Sequence, residues 1–217
     1  MNSSHRVIAI DGPAASGKSS VAREVANRIG FAYVNSGAMY RAVTWHVLQQ
    51  GVSPEDSAAI AQLLEATRLD CTIGPSGSLI LINGVDPAAH LSEERVNEAV
   101  SAVSRIPRVR EILVEKMRRL VGDHDVVMEG RDIGSVVFPE TPYKFYVDAS
   151  PEVRLRRRQA QGLRDQIAAR DRADSSRAAS PLVIPKDAHV IDSSNLTIDE
   201  VVAEIVAQLK MKGLETN

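Results

Sequence analysis

The fold can be inferred from one octapeptide, Gly12-Pro13-Ala14-Ala15-Ser16-Gly17-Lys18-Ser19. It matches the pattern G-x-x-x-x-G-K-[ST] at every fixed position. The apolar run 7–10 precedes it and predicts a strand buried on both faces, and the segment 18–29 predicts a helix. A glycine-rich turn between such a strand and such a helix is typical of a phosphate-binding loop, or P-loop.

The residue types of this loop suit a nucleoside triphosphate. Gly12 and Gly17 permit close backbone approach, so that loop N–H groups and the helix N-terminus face an anion. Lys18 adds a positive charge over the β- and γ-phosphates, and the Ser19 hydroxyl can ligate Mg²⁺. We therefore predict ATP as co-substrate, Mg²⁺ as cofactor, and an ATP site made of Gly12, Pro13, Ala14, Ala15, Ser16, Gly17, Lys18, Ser19 and Ser20.

The order of apolar and helical segments predicts an α/β fold. Short apolar runs indicate strands at 7–10, 31–34, 126–128, 144–147 and 189–191, with helices between them. Together with the P-loop, this alternation predicts one domain of the P-loop NTPase fold over 1–217, with a parallel five-stranded sheet flanked by helices on both faces. An antiparallel hairpin at 69–82 is foreign to such a sheet, so we interpret about 63–100 as an inserted subdomain.

Composition excludes several classes of function. The 217 residues carry a net charge of -2 and only 4% aromatic residues, which argues against nucleic acid or membrane partners. No apolar run approaches the roughly 18 residues of a membrane span. Cys71 is the only cysteine, so no internal disulfide can form. Because the N-terminus enters a strand directly, without a signal peptide, we expect a cytoplasmic protein.

Two further motifs follow predicted strands. Ser36 and Arg41 begin the helix after the second strand, and Arg131 and Asp132 follow the strand at 126–128. Ligands of open α/β sheets bind beyond the carboxyl ends of the strands, so these motifs fall on the same edge as the P-loop. The alternatives are a simple helix cap at Ser36, a surface charge at Arg41 and a surface ion pair between Arg131 and Asp132.

Arginines are concentrated in one part of the chain. Between Arg154 and Arg177 there are eight arginines against three aspartates, a pattern that favours a small polyanion as ligand. Arg170, Asp174 and Arg177 are spaced i, i+4, i+7 and share one helix face. A solvated, salt-bridged face is the alternative explanation of that spacing.

These motifs together resemble the bacterial cytidylate kinases (CMP/dCMP kinases), a family of P-loop nucleoside monophosphate kinases. The resemblance covers nearly the whole chain. It is carried by the strings Ile10-Asp11-Gly12-Pro13, Ser16-Gly17-Lys18-Ser19, Ser36-Gly37-Ala38-Met39-Tyr40-Arg41, Pro107-Arg108-Val109-Arg110, Gly130-Arg131-Asp132-Ile133-Gly134, Val136-Val137-Phe138-Pro139, Arg177-Ala178 and Pro181-Leu182. It implies ATP-dependent phosphorylation of CMP or dCMP in pyrimidine nucleotide metabolism.

The resemblance also implies roles for single residues. Ser101, Arg110 and Asp132 would read cytosine, whose N4 amino group suits a carboxylate and whose N3 and O2 suit donors. The acceptor phosphate would be held by Arg41, Arg131 and Arg177, and the sugar by Asp174 and Arg170, with Ser36 in the same CMP site. Lys18, Arg131 and Arg177 would be the catalytic residues.

The remaining implied roles concern ATP and the metal. A lid at about 151–172 would close over ATP, and its phosphates would be reached by one or more of Arg154, Arg157 and Arg158, with Arg157 assigned to the ATP site. Asp11 and Glu129 would hold Mg²⁺ through water beside Ser19, and the insertion at 63–100 would help to bind CMP. We expect a monomer whose only ligands are ATP, CMP and dCMP. The competing hypotheses are another P-loop small-molecule kinase and a nucleotide-regulated RNA-binding protein.

Overall fold

The computed structural model describes residues 5–74, 77–160, 171, 174 and 182–214. The strands are β1 (Val7–Asp11), β2 (Ala32–Asn35), β3 (Leu69–Gly74), β4 (Gly77–Ile82), β5 (Val126–Gly130), β6 (Tyr143–Asp148) and β7 (His189–Asp192). The α-helices are α1 (Lys18–Ile29), α2 (Ser36–Gln49), α3 (Ser57–Glu65), α4 (Glu94–Val103), α5 (Pro107–Leu120), α6 (Pro151–Ala160) and α7 (Ile198–Met211). One π-helical turn, Ile133–Val137, follows β5 and is called the π-segment below.

Five strands form one parallel sheet in the order β2-β5-β1-β6-β7. All five residues of β1 and of β5 are buried, as their continuous apolar runs predict. One core joins α2 and α5 to one face of the sheet, and a second core joins α1 and α7 to the other face. The predicted α/β fold is thereby confirmed, with helices on both faces.

The carboxyl ends of β1, β2 and β5 lie side by side. The register pairs Asp11 with Gly130 and Asn35 with Glu129. The P-loop, the start of α2 and the π-segment therefore leave the sheet at the same edge. This arrangement places the functional motifs next to one another although they are distant in sequence.

The hairpin β3–β4 is a separate two-stranded antiparallel sheet. It meets the main sheet at β2, where the Asn35 N–H donates to Ser78 Oγ at 3.2 Å. The dipeptide Asn83-Gly84 predicts a turn into a further paired strand; the turn is present, but only a single bridge, between Ile82 and Val85, is formed across it. The assignment of 63–100 as a CMP-binding subdomain remains a prediction.

Two helix starts differ from the sequence-based expectation. Asn35, not Ser36, caps α2: its side chain accepts the Ala38 N–H at 3.0 Å. The dipeptide Ser53-Pro54 predicts a helix start, because proline is favoured in the first turn of a helix, but α3 begins at Ser57 and is capped by Asp56. Among the described residues, no helix is both long and apolar enough to cross a membrane.

Candidate active site

The P-loop connects β1 to α1 by a tight turn that requires glycine. Gly12 has φ +156°, and a Cβ there would lie 2.1 Å from the carbonyl oxygen of Val147. Gly17 precedes α1 in the left-handed region, at φ +89°, where a side chain is disfavoured. Lys18 is 5% exposed, and its Nζ donates to the carbonyl oxygen of Pro13 at 3.0 Å. The loop is thus folded around its own lysine.

Arginines of α6 contact the carbonyl groups of this loop. Arg154 donates to the Ala14 oxygen at 3.3 Å, and Arg157 donates to the Ser16 oxygen at 3.2 Å. Arg157 also donates to the Ser193 oxygen at 2.7 Å. These contacts neutralise the negative ends of the loop peptides, which leaves the positive ends to act on an anion.

The predicted lid residue Arg157 therefore lies against the loop backbone, and its contact with ATP remains a prediction. Its neighbour Arg158 lines the cavity described below.

The hydroxyl of Ser19 and the carboxylate of Glu129 are in contact at the N-terminus of α1. Ser19 Oγ donates to Glu129 Oε1 at 2.8 Å, and Glu129 is 3% exposed. The Tyr33 hydroxyl lies 3.5 Å from the same carboxylate oxygen. Hard oxygen ligands of this kind fit Mg²⁺, which keeps several of its waters and takes few protein ligands. The described residues hold no cluster of three or more His, Cys, Asp or Glu, and such a cluster is not needed for this mode of binding.

Asp11 is occupied by backbone donors. Its two carboxylate oxygens accept the N–H groups of Ile133 and Gly134, each at 2.8 Å. Burial raises the pKa of Asp11 to about 7, although both hydrogen bonds favour the ionised form and oppose the shift. These two hydrogen bonds connect the end of β1 to the π-segment. A water-mediated contact of Asp11 with Mg²⁺ stays a prediction.

The residues expected to read a base form a buried ion pair. Arg110 and Asp132 have side chains that are each 5% exposed, and the guanidinium NH2 group of Arg110 donates to Asp132 Oδ2. Arg110 also donates to the Ser104 oxygen at 3.1 Å and lies over the ring of Tyr40. Its Nε is buried and has no hydrogen-bond partner among the described residues. The site therefore presents a buried donor that a ligand acceptor could satisfy.

The residues expected at the acceptor phosphate are held by partners distant in sequence. Arg131 Nε donates to Asp174 Oδ2 at 2.8 Å, and Arg41 donates to Asn97 Oδ1 at 3.0 Å. Ser36 Oγ donates to the backbone carbonyl oxygen of Glu129 at 2.7 Å, and this hydrogen bond connects α2 to the end of β5. The surface ion pair between Arg131 and Asp132 is not formed, because each has another partner.

One cavity of about 830 Å³ joins the two halves of the site. It brings together these predicted residues: Ala14, Ala15, Gly17, Lys18, Ser19, Ser20, Ser36, Arg41, Ser101, Arg110, Glu129, Arg131, Asp132 and Asp174. It is not lined by Asp11, Gly12, Pro13, Ser16 or Arg157. Arg170 and Arg177 lie outside the described residues.

Sequence reasoning missed several residues that line the cavity. Asn97 lies one helical turn before Ser101 on α4, so its position on the same helix face was a usable signal. Arg158 is one of the three lid arginines considered for the ATP phosphates, and it lines the cavity whereas Arg157 does not. The cavity is also lined by Ala88, Leu91 and Ser92, which match no binding motif in the sequence. They reach the cavity only through the packing of the insertion.

The fold and the site define a class of protein. A complete P-loop follows the first strand of a parallel sheet, and its lysine and serine share a cavity with arginines from other strand ends. This arrangement is that of a P-loop kinase acting on a small anionic acceptor.

Comparison with known proteins identifies the family. The cytidylate kinase family model matches residues 8–211. Cytidylate kinase of Geobacillus thermodenitrificans is 43% identical over 210 residues, 92% of this chain and 94% of the relative. That of Corynebacterium efficiens is 44% identical over 223 residues, 97% of each. The chain belongs to the cytidylate kinase family, and the predicted resemblance is confirmed.

A solved structure supports the architecture alone. An uncharacterized protein from Eubacterium ventriosum ATCC 27560 superposes with a TM-score of 0.50 and 11% sequence identity. The match covers 95% of this chain and 99% of the other. Similarity at this level of identity concerns the fold and not the choice of substrate.

Proposed function

We propose that this protein transfers the γ-phosphoryl group of ATP to the phosphate of CMP or dCMP, giving ADP and CDP or dCDP. The observation that carries the proposal is the single cavity lined by Lys18 and Ser19 on one side and by Arg131 and Asp132 on the other. Membership of the cytidylate kinase family supports the choice of acceptor.

The donor binds at the P-loop. Loop N–H groups and the N-terminus of α1 face the β-phosphate, and Lys18 neutralises charge on the β- and γ-phosphates. Ser19 and Glu129 are the residues that would hold Mg²⁺, Ser19 directly and Glu129 through water. Mg²⁺ held by these residues would supply positive charge that reduces the repulsion between the phosphates. The arginines of α6 support the loop, and Arg158, which lines the cavity, would meet the phosphates from the lid.

The acceptor phosphate binds among arginines. Arg41 and Arg131 line the cavity, and both are oriented by neutral or acidic partners, Asn97 and Asp174. We propose that these arginines turn toward the phosphate on binding, together with Arg177, while Asp174 and Arg170 meet the sugar. Bidentate guanidinium contacts would fix the attacking oxygen in line with the γ-phosphorus.

The base binds against the buried ion pair. Asp132 would accept the cytosine N4 amino group, while Arg110 and Ser101 would donate to N3 and O2. Uracil would place its O4 acceptor against the carboxylate of Asp132 and its N3 donor against Arg110. These mismatches leave buried polar groups unpaired, and each costs about 1–3 kcal/mol. Discrimination therefore comes from rejection of the wrong base.

The reaction needs no strong general base. The second pKa of a phosphate monoester is about 6, so the attacking oxygen is already ionised near neutral pH. The obstacle is repulsion between two polyanions, and Lys18, Arg41 and Arg131 offset that repulsion and the charge on the transferring group. Closure of the lid would exclude water, which would otherwise compete as acceptor.

The cellular setting follows from the same features. We propose a monomeric enzyme of pyrimidine nucleotide metabolism in the cytoplasm. The free thiol of Cys71 and the absence of a disulfide fit a reducing compartment. The balanced net charge gives no support to the alternative of a nucleotide-regulated RNA-binding protein.

An acceptor panel tests the proposal. ADP release is measured with ATP and each of CMP, dCMP, UMP, AMP and GMP under identical conditions. We expect CMP and dCMP to give kcat/KM values at least tenfold above the other three, because only cytosine satisfies Asp132 and Arg110 together. Preference for a purine nucleotide would favour another P-loop kinase, and no ADP release with any acceptor would refute catalysis.

A further inference from the structure

Arg118 lies outside the cavity and holds the far end of the π-segment. Its Nε donates to the Val137 carbonyl oxygen at 2.9 Å, and its NH2 group donates to the Val136 oxygen at 2.9 Å. The carbonyls at the end of a helical turn have no partner within the helix. The planar fork of a guanidinium can hold two of them at once in a fixed geometry.

One of these two peptide units, that between Val136 and Val137, is also hydrogen-bonded to Asp132. The N–H groups of Val136 and Val137 both donate to the Asp132 carbonyl oxygen, at 2.9 and 3.1 Å. The Phe138 N–H donates to the Ile133 oxygen at 2.7 Å and completes the π-helical turn. A continuous chain of hydrogen bonds therefore leads from Arg118, through the peptide unit between Val136 and Val137, to the Asp132 carbonyl oxygen.

Helix α5 holds the π-segment from both ends. Arg110 binds the Asp132 carboxylate, and Arg118, eight residues later, binds the carbonyls of Val136 and Val137. Eight residues of α-helix span about 12 Å, so the helix acts as a rigid frame. On the other side of the segment, Asp11 accepts two backbone N–H groups. The short π-helical turn is an uncommon conformation and is kept in place by these flanking contacts.

We infer that Arg118 is a positioning residue for base selection: by holding the π-segment, it fixes the place of the Asp132 carboxylate in the acceptor site. The inference rests on the proposed role of Asp132 as the reader of cytosine. Arg118 is exposed and lines an outer groove with Glu111 and Val114; Arg110 lines both this groove and the cavity, but Arg118 does not line the cavity proposed to hold the nucleotides. Hydrogen-bond discrimination depends steeply on geometry, so a small displacement of Asp132 weakens selection.

The test compares acceptors in the variant Arg118→Met, which keeps the apolar stem and removes both donors. We expect the ratio of kcat/KM for CMP to that for UMP to fall about three- to tenfold, as for the loss of one or two net hydrogen bonds. KM for CMP should rise, whereas KM for ATP should stay within about twofold, because the P-loop is held by other residues. Arg118→Lys should recover part of the ratio, since an ammonium group can reach one carbonyl but cannot fork.

The neighbouring arginine supplies a matched control. Arg119 is exposed and pairs with Glu115 on the same helix, so Arg119→Met should leave both KM values and the CMP/UMP ratio unchanged. Thermal unfolding of each variant shows whether stability alone has changed. An unchanged CMP/UMP ratio in Arg118→Met overturns the inference, including the case in which only the melting temperature falls. A wild-type enzyme without preference for CMP would instead overturn the proposed function and the inference with it.

Discussion

Replacement of Asp132 by asparagine tests how the base is read. Asp132→Asn keeps the size of the side chain and one oxygen acceptor but removes the negative charge. The introduced amide can donate a hydrogen bond to uracil O4, whereas opposite the cytosine N4 amino group it places a donor against a donor. We expect the CMP/UMP ratio of kcat/KM to fall at least tenfold.

The size of the effect can be worked from the burial of the ion pair. Asp132 and Arg110 are each about 5% exposed, so neither gains much from water. An unpaired buried polar group costs about 1–3 kcal/mol, which corresponds to about fivefold to 150-fold in kcat/KM for CMP. For folding stability, the full loss of one partner of a buried ion pair costs about 3–5 kcal/mol. Because asparagine retains one oxygen acceptor, we expect the loss of stability in Asp132→Asn to lie near the lower limit. Because domains of this kind have about 5–15 kcal/mol of stability, the variant should fold.

The assay is steady-state ADP release with CMP and UMP at saturating ATP, with thermal unfolding of each protein. A loss of about 3 kcal/mol lowers the melting temperature of a chain of this size by about 6–12 °C. Asp199→Asn makes the same chemical change on a carboxylate whose side chain is 81% exposed. It should leave the CMP/UMP ratio unchanged and, because it weakens only an exposed ion pair with Arg28, lower the melting temperature by no more than about 4 °C. An unchanged CMP/UMP ratio in Asp132→Asn would refute the role of this carboxylate in base recognition.

Four further perturbations test the donor side and the core. Lys18→Met should lower kcat about 100-fold or more with an unchanged melting temperature, since its charge acts on the transferring group; near-normal turnover would be the contrary result. Gly12→Ala should abolish ATP binding in calorimetry, because the Cβ would overlap the Val147 oxygen at 2.1 Å; retained affinity would contradict the close approach. Chelation of Mg²⁺ should stop turnover reversibly while CMP still binds, and turnover in its absence would exclude the metal. Burial raises the pKa of Asp11 from 3.8 to about 7, so the folded chain binds this proton more tightly, and the contribution of Asp11 to the free energy of unfolding falls between about pH 4 and pH 7. The free energy of unfolding, obtained from denaturant titrations at a series of pH values, should fall with pH in the wild type relative to Asp11→Asn across that interval, and the two curves should run parallel above it. Curves that run parallel at every pH would contradict the pKa shift.

The architecture was predictable because its signals are local. The strand runs at 7–10 and 126–128 are buried on both faces and read as continuous apolar segments. The predicted helix starts were wrong where two nearby residues are equally suitable as N-caps. Asn35 and Ser36 are both good N-caps, as are Ser53 and Asp56, and the choice between them depends on where the preceding strand or turn ends.

The site was predictable in its residue types but not in its pairings. Arg131 and Asp132 are adjacent and of opposite charge, so a local ion pair was a reasonable alternative. In the structure, Asp174 binds Arg131 and Arg110 binds Asp132, at sequence separations of 43 and 22 residues. The helix periodicity could have placed Asn97 beside Ser101, but its contact with Arg41, 56 residues earlier, arises only in the tertiary fold. Contacts of this kind arise from the tertiary fold and leave no periodic pattern in the sequence.

Binding of a bisubstrate analogue tests the shared cavity most directly. In such a compound, adenosine and cytidine are joined through their 5′ positions by a chain of five phosphates. If donor and acceptor occupy one continuous cavity, linking them removes the entropy cost of the second binding event, and isothermal titration calorimetry should show a Kd at least about 100-fold below that of ATP or CMP alone. The analogue should also displace both nucleotides. An affinity no better than that of ATP, with displacement of only one of the two, would contradict the account.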